Sequence, residues 1–101
     1  MAIRLNQEQL FTVCRILSKD LHNIYITEHA EQRMEQRKIS YDDIINALSN
    51  PIELLDIRLT EKRYYAYKIH GSDKNKHIVF VIDEKTRTIH VVTVINKLYN
   101  H

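Results

Sequence analysis

Apolar residues recur at helical spacing through the first half of the chain and at strand spacing through the second. Leu10, Val13, Cys14 and Leu17 fall on one helical face. Asn6, with Gln9 three residues on, supplies a variant of the capping box that starts this helix. The spacing predicts a first helix over about 6–22, broken at Asn23, with Ile24–Ile26 as a short apolar bridge. Thr27 offers an N-cap oxygen to a second helix over about 28–38. Ile39 packs inward, and Ser40 caps a third helix over about 41–49, with Asp42 and Asp43 in its first turn, where the dipole favours acids. Asn50-Pro51 ends it.

From there the period changes to extended. Residues 52–60, 63–70, 77–83 and 88–95, rich in Ile, Val, Tyr and Thr, read as four strands. Their joins are Glu61-Lys62, the loop from Gly71 to Lys76, and Asp83–Arg87. Such short connections predict antiparallel neighbours, and the last two strands are apolar on both faces, as central strands are. The expected architecture is α+β: three N-terminal helices packed on one face of a four-stranded antiparallel sheet.

Composition narrows the class. At 101 residues the chain suits one domain, 1–101, large enough for a core without staples. One glycine and one proline exclude a linker-rich or disordered chain. The lone Cys14 sits in an apolar helical stripe and reads as a small buried hydrophobe, a usage that fits a reducing compartment. Met1 to Leu10 holds no apolar run long enough for a signal peptide or membrane span, so a cytoplasmic protein with no membrane partner is expected. The net charge of +2 does not by itself indicate nucleic acid. Its distribution is uneven: residues 1–50 hold six Lys/Arg against seven Asp/Glu, and residues 51–101 hold nine against six.

The second helix carries the most informative pattern. His29, Arg33 and Arg37 stand at i, i+4 and i+8. At about 100° per residue they cover an arc of about 80°, which Ala30 and Met34 extend by about 60°. The row therefore borders the stripe that faces the core, with Glu28, Glu31 and Glu35 on the far side. No acid lies three or four residues before either arginine, and the arginines form a like-charge i, i+4 pair that costs a few tenths of a kcal/mol. An anionic partner at this edge would offset that cost.

The stretch T-x-H-A-x-x-R-M-x-x-R-x-I-S from Thr27 to Ser40, a short helix ending in Asn-Pro, and strands closing on V-V-T-V at Val91–Val94 resemble a family of uncharacterised small domains. That family is grouped with the barnase–EndoU–colicin–RelE ribonuclease fold, which includes RelE-like toxins of toxin–antitoxin modules. The resemblance covers about residues 25–96 and marks His29, Arg33, Arg37 and Thr93. The chain departs from the pattern at Lys38, where glycine would favour a left-handed helix terminator. What the resemblance implies is a metal-independent endoribonuclease of toxin type that needs no cofactor, acts on RNA, and is silenced by an antitoxin or immunity protein.

The residue chemistry is compatible with that implication. Attack by a 2′-hydroxyl needs proton transfers, which histidine suits because its free pKa is near 6.5. It also needs a cation on the phosphorane, which arginine supplies with two donors at once. In the alternative, His29 packs on the sheet and the arginines bond strand carbonyls or acids such as Asp56.

Arg63, Tyr65 and Tyr67 share one face of the second strand, where rings and cations could hold RNA or simply pair across strands. Lys68, on the other face, is the better catalytic candidate if helices cover its side. Thr93, grouped by parity with Ile89, Val91 and Ile95, needs a hydrogen-bond partner there. His70, His77 and His90 invite a metal reading, with His77 facing His90 across the last hairpin. No acidic or thiolate ligands cluster at zinc spacings, so no metal is expected. Two binding alternatives remain open beside the enzyme: an RNA- or protein-binding module using the His29/Arg33/Arg37 edge, and a structural subunit in which that row is internal. A homodimer is compatible with either.

Overall fold

In a computed structural model, which describes residues 3–99, the chain runs α1 (Gln7–Leu17), a 3-10 turn (Leu21–Asn23), β1 (Ile24–Ile26), α2 (Glu28–Arg37), α3 (Tyr41–Ser49), β2 (Glu53–Leu59), β3 (Tyr65–His70), β4 (Lys76–Asp83) and β5 (Thr88–Asn96). The α+β class holds, but the sheet differs from the expected four-stranded antiparallel one. It has five strands in the order β1-β5-β4-β3-β2, and β1 pairs parallel with β5. The apolar bridge is thus a strand: Ile24, Tyr25 and Ile26 align with Ile89, His90 and Val91. Three residues are too few for alternation to show, and the partner lies more than sixty positions along the chain.

Helix α1 stops at Leu17, short of the expected residue 22. Local side-chain bonds take over beyond it. The Asn23 side chain donates to the Leu17 carbonyl at 3.1 Å, and the Asp20 carboxylate accepts from the His22 N–H at 3.0 Å.

One core fills the space between the helices and one sheet face. Leu10, Phe11, Cys14, Ala30, Ile44 and Leu48 meet Tyr67, Ile69, Ile78, Phe80, Ile89, Val91 and Val94. In β5 the register slips between Val79↔Thr93 and Phe80↔Val91, leaving Val92 as a bulge. The bulge reverses the alternation, so Ile89, Val91 and Val94 all face the core, while Thr93 and Ile95 face the other way. That second face has no helix over it among the described residues. Among the described residues no helix is long and apolar enough to cross a membrane.

Candidate functional site

Both ends of α2 are tied to β5. Thr27 caps the helix by accepting from the Ala30 N–H at 3.1 Å, while its own N–H donates to the Val91 carbonyl and its hydroxyl to the Val92 carbonyl. At the other end the Arg37 guanidinium donates to the Val94 carbonyl, and the Asn96 amide donates to the Arg37 carbonyl at 2.9 Å. Lys38 closes the helix in the left-handed region, with φ 53° and ψ 50°, so the terminator forms without glycine. Its ammonium lies 5.3 Å from the centre of the Tyr99 ring.

The row on α2 is graded. A four-residue step advances the helix by about 40° beyond one full turn, so successive members drift around the cylinder. Arg37 lands beside Ala30 and Met34 and is spent on a strand carbonyl. Arg33 is half-buried and donates to the Gln36 side chain at 2.8 Å. His29, furthest from the core stripe, is exposed, and no hydrogen bond joins its ring to another described residue. The row therefore divides, with Arg37 tied to β5 and His29 facing solvent.

Lys68 and Thr93 lie on the helix-free face, so the condition that favoured Lys68, a helix-covered side, is not met. The two belong to one cross-strand row, Asp56↔Lys68↔Val79↔Thr93. This row places Thr93 on the strand beside α2 and Lys68 two strands away, about 10 Å off. A shallow depression of about 260 Å³ runs along it, lined by Asp56, Arg58, Lys68 and Thr93 with Ala66, Val79 and Ile95. Among the described residues neither Lys68 nor Thr93 has a side-chain hydrogen bond. Thr93 is grouped with Ile95 but not with Ile89 and Val91, because of the bulge.

The tyrosine face is the core face. Tyr67 is 2% exposed, and its hydroxyl accepts from the Leu5 N–H at 2.9 Å. Burial raises its pKa, against the lowering effect of that bond. Tyr65 is half-buried against the core, and Arg63 sits in the turn before β3 with φ 69°. The structure therefore does not gather Arg63, Tyr65 and Tyr67 into a surface.

Residues 26–96 match the family described as a domain of unknown function, DUF4258. The chain belongs to this family. No curated protein and no solved structure matches it. The DUF4258 segment starts at the last residue of β1 and takes in α2, α3 and β2–β5, leaving α1 outside.

Within the DUF4258 segment the histidines disperse. His77 lies opposite Ile95 and His90 opposite Val81, so the two do not face each other. The His70 and His77 rings stack at 6.1 Å, with His70 bonded to the Gly71 carbonyl and His77 to the Lys74 carbonyl. Burial lowers the His77 pKa; the Lys74 bond opposes this, and Lys68, Lys97 and His70 add to it. Among the described residues no three of His, Cys, Asp and Glu are placed to hold a metal ion.

His90 bonds the Thr88 hydroxyl at 2.9 Å and stacks on Tyr25 at 5.1 Å. Cys14 is fully buried, and burial pushes its thiol up to about 12. Sequence reasoning missed Arg58 and the Tyr25–His90 stack. Arg58 could have been found from hairpin parity, since it shares Lys68's face. The stack depends on the unrecognised strand β1.

Proposed function

We propose that this DUF4258 domain is a metal-independent endoribonuclease of toxin type, cleaving RNA by attack of a 2′-hydroxyl. His29 takes the 2′-hydroxyl proton or returns one to the leaving 5′-oxygen, and the products are a 2′,3′-cyclic phosphate end and a free 5′-hydroxyl end. Arg33 stabilises the phosphorane. Lys68 and Arg58 hold neighbouring phosphates along the depression, and Thr93 donates to a phosphate oxygen. Arg37 is a positioning residue, because its guanidinium is engaged with β5. The observation that carries this reading is the free histidine at the exposed end of a row anchored to the strand that bears Thr93. A partner that silences the toxin would cover that edge.

The test is inducible expression and incubation of purified protein with RNA, for wild type and His29→Ala. The expected result is RNA cleavage and growth arrest by wild type only, with identical melting curves for the two proteins. Full toxicity of His29→Ala overturns the assignment.

The second reading is a module that binds RNA or an acidic protein without cutting it. It is favoured by the Arg37–Val94 bond, which removes one arginine from the chemistry. Wild-type protein that retards RNA on a gel and leaves it intact, with and without ribosomes, would establish this reading.

A further inference from the structure

Strand β2 is an open edge of the sheet: β3 pairs one side of it and, among the described residues, no strand pairs the other. The direction of its backbone groups follows from the hairpin. The Thr60 N–H donates to the Tyr64 carbonyl at 2.8 Å, so Thr60 turns its backbone inward toward the hairpin partner. By alternation Arg58 and Asp56 also turn inward, while Leu59 and Ile57 present their N–H and C=O groups outward. The Leu54 N–H also points outward, where it meets the Gln7 side chain at 3.4 Å. The register slips between Leu54 and Asp56, which leaves Leu55 as a bulge. Five residues, Leu55 to Leu59, are thus available for pairing. Leu59 is 51% exposed.

Charge selects the partner and the register. Asp56 and Arg58 stand on the same face of the strand, with their nearest charged atoms 3.9 Å apart. If a second copy pairs antiparallel about a two-fold axis through Ile57, Asp56 faces the partner's Arg58, and Arg58 faces the partner's Asp56. Centring on Asp56 puts acid against acid, and centring on Arg58 puts base against base, both unfavourable for directly opposed residues. The Ile57 register also makes Ile57 meet its counterpart as a hydrogen-bonded pair, which uses the outward groups. The Asp56–Arg58 pairs then fall at non-hydrogen-bonded positions, where side chains come closest.

We infer that β2 is a homodimerisation edge, joining two five-stranded sheets into one of ten with the Ile57–Ile57 contact on the axis. The helix-free faces then become continuous, and the two Lys68 strands lie about 14 Å apart, three strand spacings. This interface stands whether or not His29 cuts RNA.

Sedimentation equilibrium of the full chain tests it. Wild type is expected to dimerise. Asp56→Arg alone and Arg58→Asp alone each weaken the dimer by about tenfold or more, and the double swap restores it. Asp56 and Arg58 are exposed, so all four chains should fold alike by circular dichroism, with Asp56→Arg melting lower because it sets an arginine opposite Lys68. Register is tested by oxidation: an equimolar mixture of Asp56→Cys and Arg58→Cys chains forms a disulfide-linked dimer, because opposed non-hydrogen-bonded positions lie within disulfide reach, and neither chain alone does. A wild-type chain that stays monomeric at millimolar concentration overturns the proposal. So does a dimer indifferent to the charge swaps, or crosslinking by one cysteine variant alone.

Discussion

Arg37 donates from its guanidinium to the Val94 carbonyl, clamping the C-terminal turn of α2 to β5. Arg33, one helical turn earlier, donates to Gln36 of its own helix and, among the described residues, to no strand carbonyl. The two arginines look alike in the sequence and do different work. Arg37→Ala leaves the Val94 carbonyl without its charged donor and is expected to cost about 1.5–3 kcal/mol. Arg33→Ala is expected to stay within about 0.5 kcal/mol. Urea denaturation of both variants checks this, and an equal loss from both would show that the row acts as one structural unit.

Lys38 occupies the left-handed region at the end of α2. A side chain with a Cβ costs about 1–2 kcal/mol there, while glycine costs about 0.5–1 kcal/mol in unfolded-state entropy. Lys38→Gly is therefore expected to stabilise the fold by about 0.5 kcal/mol. The contact with Tyr99 is partly exposed and offsets little of the gain. Thermal melts of the two proteins decide it, and a clear fall in melting temperature would show that the ammonium–ring contact outweighs the backbone strain.

The parts of the fold set by local chemistry were legible in the sequence. Asn6, Thr27 and Ser40 each cap the helix expected of them, because a cap depends on residues three positions away. The missed features depend on distant partners. Strand β1 exists only because β5 lies beside it, and the Val92 bulge arises from pairing with β4. That bulge moved Thr93 to the face opposite Val91, and with it one member of the candidate site. The α2 row was legible as a pattern. Its division into an exposed histidine and an engaged Arg37 follows from the position of the β5 edge, which sequence spacing does not give.

Gly71 is the chain's one glycine, and it lies where β3 ends beside α3. A Cβ there would stand 2.8 Å from the Ala47 Cα and 3.3 Å from the Asn50 carbonyl oxygen. Both are backbone atoms and cannot swing aside. Gly71→Ala is expected to destabilise by about 1–3 kcal/mol, as overpacking does. A guanidinium midpoint unchanged from wild type would mean that the end of α3 yields readily. Gly71→Ala combined with Ala47→Gly should not recover the loss fully, since the closest atom is Cα and remains in place.

Asp43 and Lys76 form an ion pair at 3.0 Å that joins the first turn of α3 to the start of β4. Burial pushes the Asp43 carboxyl up, but the Ser40 backbone N–H, the Lys76 ammonium and the Ser40 hydroxyl outweigh it and hold the group below its ordinary 3.8. The Lys76 ammonium is raised above its ordinary 10.5, chiefly by the bond to Asp43. A depressed carboxyl stabilises the fold above its unfolded pKa and loses that contribution as pH falls through the folded value. A raised ammonium contributes below its unfolded pKa and loses that contribution as pH climbs past the folded one. The pair should thus contribute fully between about pH 4 and 10 and fail outside that window. His77, held below 6.5 mainly by burial, adds a separate loss that begins as pH falls under that value, in wild type and in Asp43 variants alike. Melting temperatures of wild type and Asp43→Asn between pH 2 and 7 separate the two effects. Both proteins should begin to decline together as pH falls below 6.5, and only wild type should show a further loss below about pH 4. Parallel curves down to pH 2 would show that Asp43 carries no acid-labile stability.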